Sequence, residues 1–253
     1  MSAPEPAAAP GRLADDARVL LALLRGRRRR GSHAERLEAF YGGQAQRYDA
    51  FRERLLHGRA ELMERLAVPA GAHVVELGAG TGRNLLYLDE TSGGPGIDAL
   101  NHVDLVDLCP SLLAVARRRF AGRENIHVIE ADACRWRPDR SADLVYLSYA
   151  LTMIPDWGRA IDNAVAMLRP GGRLGVVDFY VSRADPASSL VRHGRFTRVF
   201  WPRWFAHDGV QLDGDRLALL RERLPDHDLF ERRAPVPYLP GLTVPYYLFI
   251  GRA

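Results

Sequence analysis

Gly78, Gly80 and Gly82, with Ala79 and Thr81 between them, follow the run His73-Val74-Val75-Glu76-Leu77 and precede a helical stretch over residues 83–90. A strand that runs into a Gly-rich turn and then a helix brings bare backbone against a ligand, because glycine has no Cβ to block the approach. A lone Gly-x-Gly-x-Gly is weak evidence, and a dinucleotide-binding sheet competes with it. Glu76 argues against phosphate, since a phosphate cradle avoids added negative charge. An acid there favours a ligand with a cationic group, such as an amino acid with an ammonium and a sulfonium. Two more acids follow in order. Asp107 closes Val103-Asp104-Leu105-Val106-Asp107, where an acid can accept both hydroxyls of an adenosine ribose. Asp132, in Ile129-Glu130-Ala131-Asp132-Ala133, suits the adenine amino group.

The elements that must position these residues alternate. Strands are expected at 73–77, 102–107, 126–130, 142–148 and 173–178, with helices at 83–90, 111–121 and 157–168. That alternation implies a parallel sheet with right-handed crossovers. Arg169-Pro170-Gly171-Gly172 reads as a helix stop followed at once by a strand. Residues 179–225 interrupt the pattern with mixed Arg and aromatics, and strands near 228–233 and 243–251 follow. Residues 33–67 look helical, with a break near Gly42-Gly43. Residues 1–11, rich in Ala and Pro, read as a disordered leader, ahead of a short helix that runs into Arg27 to Arg30.

Composition narrows the class. The chain has 253 residues and a formal net charge of +4, and each of its 35 basic residues is Arg. Residues 1–30 hold seven Arg against three acids, so the excess lies in that stretch and the remainder balances. This balance counts against a large nucleic-acid surface. Two Cys, Cys109 and Cys134, do not make a disulfide scaffold or a Cys zinc site, and they suit a reducing, cytoplasmic compartment. No apolar run approaches the roughly 18 residues that a membrane span needs. His33, His57, His102, His127, His193 and His227 show no metal spacing, so no metal is expected.

Val75-Glu76-Leu77-Gly78-Ala79-Gly80-Thr81-Gly82, the Asp107 strand end, Ala131-Asp132-Ala133 and Leu168-Arg169-Pro170-Gly171-Gly172 resemble class I S-adenosylmethionine-dependent methyltransferases over about residues 71–180. The flanks resemble a narrower family, the bacterial diacylglyceryl-homoserine N-methyltransferases of betaine-lipid synthesis. They are Phe40 to Arg52, Leu147 to Pro155, Phe205 to Val210, Val236 to Pro240 and Val244 to Gly251. The resemblance covers about residues 36–252 and leaves the first 30 or so outside it.

That resemblance implies a Rossmann-like α/β fold with a seven-stranded, mostly parallel sheet and an antiparallel last strand. It would form one domain over 32–253, behind an Arg-rich tail at 1–31 and with an inserted substrate or lid segment at 179–225. The cofactor would be S-adenosylmethionine, held by Tyr48, Arg52, Glu76, Gly78, Ala79, Gly80, Thr81, Gly82, Asn84, Asp107, Leu108, Asp132, Ala133 and Ser148. The implied reaction adds three methyl groups to the homoserine amine of diacylglyceryl-homoserine, with an upstream homoserine-transferring enzyme as functional partner and a membrane surface close by. Methylation of phosphatidylethanolamine or a quinone precursor is the alternative. Tyr41, Tyr149 and His207 are the candidate catalytic residues. Aromatic faces favour methylated ammonium groups, which gives Tyr41, Tyr48, Tyr149, Trp157, Phe196 and Tyr247 a shared use. Arg192, Arg195 and Arg198 could hold a substrate carboxylate. His207-Asp208 reads equally as an acid/base pair or a loop cap. Trp201 to Phe205 reads as a lid core or as a surface that dips into lipid headgroups. The Arg tail is either an electrostatic anchor on the inner membrane face or a solvated segment.

Overall fold

The alternating pattern becomes a seven-stranded sheet whose strands lie in the order 126–130, 102–107, 73–77, 142–148, 168–179, 243–252 and 227–235. The structure, a computed structural model, describes residues 32, 34, 35, 37, 38, 54–90, 95–206, 210–237, 239 and 241–253. The Arg-rich tail lies outside the described residues, as do Tyr41, Tyr48, Arg52 and His207.

Strands β1 (His73–Leu77), β2 (His102–Asp107), β3 (Ile126–Glu130) and β4 (Ala142–Ser148) take the expected bounds. They pair in parallel with β1 at the centre. The order reverses between β1 and β4, and at such a switch point open α/β sheets leave a crevice above the strand ends. β5 (Leu168–Phe179) pairs in parallel with β4, while β7 (Thr243–Arg252) runs antiparallel to both β5 and β6 (His227–Pro235). β5 begins earlier than the sequence suggested. The Pro170-Gly171-Gly172 turn is held in the ladder because Gly171 N–H donates to the Ala253 carbonyl and Ala253 N–H to that of Gly172.

Helices cover both faces. On one side lie α1 (Arg59–Leu66), a 3-10 turn (Arg83–Leu86) and α2 (Tyr87–Glu90), with Leu62, Met63, Leu66 and Leu85 in the core. α3 (Pro110–Arg119) has Pro at its start, where the missing N–H costs nothing, and three Arg at its end, where cations suit the helix dipole. α4 (Trp157–Met167) buries Ala160, Ile161, Ala164 and Met167, one face of a 3.6-residue period. The 179–225 segment supplies α5 (Arg195–Ala206) and α6 (Asp215–Arg223). α6 buries Leu217 and Leu220 in the same core as α4, so this part of the interruption packs as a layer of the fold.

Candidate active site

β1 ends in a loop whose glycines are conformationally required. Gly78 sits at φ +75, and a Cβ there would meet the Ala150 Cβ at 2.5 Å. Gly82 sits at φ +68, and its Cβ would meet the Phe120 ring at 2.6 Å. Beside this loop stands Asp107. Its Oδ2 accepts from Gly80 N–H at 2.8 Å and its Oδ1 from Cys109 N–H at 2.8 Å. The carboxylate thus fixes the loop and the start of α3 while it faces a cavity.

That cavity is about 310 Å³ and opens above the strand ends. Gly78, Gly80, Asp107 and Leu108 form one wall, and Asp132, Ala133 and Cys134 form another. Tyr149, Ala150, Met153, Ile154 and Pro155 form a third, mostly apolar wall. Leu37 reaches it from the N-terminal segment. That segment starts with a capping box, in which Ser32 N–H donates to Glu35 Oε2 at 2.6 Å and Glu35 N–H to Ser32 Oγ at 3.2 Å. Glu38 then accepts from Ser111 N–H at 3.1 Å, at the N-terminus of α3. An anion suits that end of a helix, and the contact docks the segment beside the cavity.

The Asp132 loop is pinned by Asn163, a buried polar residue on the core side of α4. Asn163 Nδ2 donates to the carbonyls of Ala133 and Trp136, both at 2.8 Å, and its Oδ1 accepts from Arg137 Nε at 2.9 Å. Sequence reasoning missed Asn163; the signal was a lone amide among the apolar positions of an amphipathic helix. The Tyr149 to Pro155 wall is tied to β5 by buried Asp178, whose Oδ2 accepts from Thr152 N–H at 3.0 Å and whose Oδ1 accepts from Thr152 Oγ1 at 2.8 Å. Burial raises the Asp178 carboxyl to about 6.

Several expected site residues are placed elsewhere. Glu76 is fully buried beneath the loop and does not line the cavity. Its Oε1 accepts from Asn84 Nδ2 at 2.6 Å and its Oε2 from Tyr146 Oη at 2.8 Å. Burial, reinforced by the Glu76 charge, holds the Tyr146 hydroxyl protonated far above its ordinary range. Asn84 in turn accepts from Arg59 at 3.3 Å. Glu76 and Asn84 therefore brace the loop from below. Thr81 is buried, with Oγ1 accepting from Arg119 at 3.1 Å. Ala79, Gly82 and Ser148 likewise shape the loop and strand end without lining the cavity.

Tyr149 does line the cavity, at the unusual φ of +54. A non-glycine residue in that region is strained, and such strain clusters at functional sites. Its hydroxyl donates to the His57 carbonyl at 2.7 Å. The aromatic cage does not assemble from the described residues proposed for it. Trp157 stacks under Arg216, Phe196 is 63% exposed, and Tyr247 is buried in the core. Arg192, Arg195 and Arg198 do not line the cavity. Cys134 does, but burial, with Asp132 adding to it, pushes its thiol up to about 12. A thiol so held is no nucleophile at neutral pH.

The histidines hold one departure from expectation. Strand register brings His73 Nε2 to 2.8 Å from Asp104 Oδ2 and His102 Nε2 to 3.1 Å from Asp104 Oδ1. His127 stacks on His102 at 4.2 Å. His73, His102 and Asp104 could hold a metal ion by ligand type, and sequence spacing could not show it because the set is completed across two paired strands, β1 and β2. It lies at the start of the strands, at the opposite edge from the cavity.

Residues 74–172 match a family model described as a methyltransferase domain. A demethylmenaquinone methyltransferase of Clavibacter sepedonicus is 31% identical over 137 residues, 54% of this chain and 51% of that protein. The ubiquinone/menaquinone biosynthesis C-methyltransferase UbiE of Vibrio campbellii is 29% identical over 155 residues, 58% of each. The chain thus spans only about half the length of the curated relatives it matches. Among solved structures, N-methyltransferase NodS of Bradyrhizobium japonicum with S-adenosylhomocysteine aligns at TM-score 0.54 and 18% identity, over 77% of this chain and 84% of that one. Phosphoethanolamine N-methyltransferase 2 of Haemonchus contortus aligns at TM-score 0.66 and 13% identity, over 88% and 60%. Identities this low show fold. Residues 74–172 thus match a methyltransferase domain, and the sheet around them has the fold of solved methyltransferases.

Proposed function

We propose that this chain methylates the amine of a membrane-lipid headgroup, converting diacylglyceryl-homoserine into its N,N,N-trimethyl betaine. The observation that carries methyl transfer is Asp107, a carboxylate at the cavity wall locked to the Gly80 amide. The residues present fit the cofactor: Asp107 would take the ribose hydroxyls, the 78–82 loop would lie along the amino-acid part, and Asp132 with Ala133 would take the adenine. Bound there, S-adenosylmethionine supplies an electrophilic methyl group on its sulfonium. The protein's part is to orient the amine and exclude water. The amine must be neutral to attack, so one N–H proton leaves to solvent in each of three rounds, and the quaternary product has none left. Cys134, held protonated, does not compete for the methyl group.

The choice of an amine rests on the flanking segments that resemble the betaine-lipid enzymes, of which Leu147 to Pro155 builds the third cavity wall. In this reading the enzyme works at the cytoplasmic face of the membrane, after the enzyme that transfers homoserine to diacylglycerol. No helix among the described residues is long and apolar enough to cross a membrane. A second reading, carbon methylation of a quinone precursor, is favoured by the quinone-biosynthesis relatives. Incubation of the full chain with S-adenosylmethionine and each lipid separately, read by mass, decides between them. Mono-, di- and trimethylated homoserine lipid is the expected result. A methylated quinone precursor with unmodified homoserine lipid overturns the amine reading.

A further inference from the structure

Helix α5 carries a surface that the cavity chemistry does not use. All the large hydrophobics that stand exposed among the described residues fall between Val191 and Trp204: Val191, Phe196, Val199 and Trp204. The inner face of α5 is buried through Thr197, Trp201 and Phe205. Its outer face presents a ladder of rings, with Phe196 stacked on Phe200 at 5.0 Å and Phe200 on Trp204 at 5.8 Å. Exposed aromatic ladders are costly in water unless something covers them. Residues 191–206 also contain four Arg and no acid, so this stretch is strongly cationic although the chain beyond the tail balances.

We infer that the outer face of α5 is a docking surface for an anionic lipid bilayer. The charge complementarity is direct: Arg192, Arg195 and Arg203 are exposed around the apolar ladder, as in helices that lie in the membrane interface with rings in the acyl boundary and cations among phosphates. The position is also right. A run of contacting rings leads inward from the ladder, from Phe200 to Trp201 at 4.9 Å and from Trp201 to Phe205 at 5.7 Å. It continues from Phe205 to Phe179 at 5.0 Å and from Phe179 to Tyr149, on the cavity wall, at 4.6 Å. Docking on α5 therefore sets the bilayer against the packed layer that forms one side of the cavity. The inference deepens the lipid reading of the site, but the surface itself requires only an anionic membrane.

The test uses the full chain and vesicles of phosphatidylcholine with 30% phosphatidylglycerol, made with or without brominated acyl chains. Wild type should co-sediment with these vesicles, bind pure phosphatidylcholine at least tenfold more weakly, and show Trp fluorescence quenched by the brominated chains. The triple variant Phe196→Ser, Val199→Ser, Trp204→Ser should lose at least tenfold in vesicle affinity while its circular dichroism and S-adenosylmethionine affinity stay unchanged. Trp204→Phe should still bind vesicles but lose most of the quenching. Wild-type vesicle binding by the triple variant overturns the inference. So does unchanged vesicle binding with a change only in self-association by sedimentation velocity, which assigns the face to a second copy. Vesicle binding that depends on α5 without methylation of the homoserine lipid would keep the docking surface and reject the substrate.

Discussion

Asp107 does two jobs with one carboxylate, holding the Gly80 and Cys109 amides while presenting itself to the cavity. Hydrogen bonds to a charged group are worth about 1.5–3 kcal/mol each. Asp107→Ala should therefore weaken S-adenosylmethionine binding by roughly 10- to 100-fold at about 1.4 kcal/mol per decade. Calorimetry checks this, and wild-type affinity would remove Asp107 from the cofactor site. Tyr149 is a different case. Its hydroxyl is bonded to the His57 carbonyl, so it acts through the cavity wall it stiffens. Tyr149→Phe should cost about 1 kcal/mol of stability, the usual net worth of a neutral hydrogen bond. It should slow methyl transfer several-fold while cofactor affinity stays within about twofold, because the cofactor wall is built by other residues. A stopped assay beside a denaturant melt measures both effects, and unchanged turnover would exclude Tyr149 from the reaction.

At the scale of elements, loops are held in place by groups beneath them. The Asn163 amide ties the Asp132 loop to α4 through two carbonyls. Asn163→Leu keeps the helix amphipathic but leaves those carbonyls without their donor, at about 1–3 kcal/mol. We expect weaker cofactor binding with kcat at saturation nearly unchanged, a pattern that a merely destabilised fold would not give. The β1 loop allows a cleaner comparison. Gly78 and Gly71 both sit near φ +75, but only at Gly78 does a Cβ meet another atom, Ala150 Cβ at 2.5 Å. Gly71→Ala should cost only the left-handed strain, roughly 1–2 kcal/mol. Gly78→Ala should cost more and abolish cofactor binding. Equal melting temperatures for the two variants would refute the close-approach argument.

For the whole molecule, pH acts on two buried groups with opposite sign. His193 accepts from Ser182 N–H at 2.9 Å through Nδ1, and its N–H donates to Ser182 Oγ at 2.9 Å through the backbone. Burial, then the charges of Arg233 and Arg198, lower its imidazole from 6.5 to about 4. Its contribution is complete above pH 6.5 and is lost as pH falls toward 4, because the unfolded chain takes up the proton first. At about 1.4 kcal/mol per pKa unit the loss reaches roughly 3 kcal/mol. Asp178, raised to about 6, runs the other way: its burial cost eases as pH falls through 6. Wild-type stability alone would mix the two. His193→Asn keeps an acceptor at the Nδ1 position without titrating, so it should lose less stability than wild type between pH 6.5 and 4. Parallel pH profiles for the two proteins would contradict the assignment.

Much of the fold was legible because strand and helix periods differ and because glycine at a strand end has few structural reasons to be there. The strands β1 to β4 fall where alternation and turn residues placed them, and Asp107, Asp132 and Tyr149 reach the cavity as the motif order implied. The type of ligand, an adenosine with an amino-acid part, follows from the family resemblance that the glycine loop, Asp107 and Asp132 carry in chain order. Glu76 was read as a ligand contact because sequence carries order but not direction; the structure turns it under the loop, to Asn84 and Tyr146. Asn163 and the His73-His102-Asp104 set were hidden for the same reason; the aromatic run Trp201 to Phe205 was legible, but the outward ring order of Phe196, Phe200 and Trp204 on α5 was not. Each joins residues that become neighbours only through strand register, helix phase or packing. Sequence by itself determined the sheet, the loop and the cofactor chemistry, since these depend on local period and backbone freedom. Which polar groups face the cavity, which brace it, and which apolar rings stay exposed are three-dimensional facts, and only tertiary structure decided them.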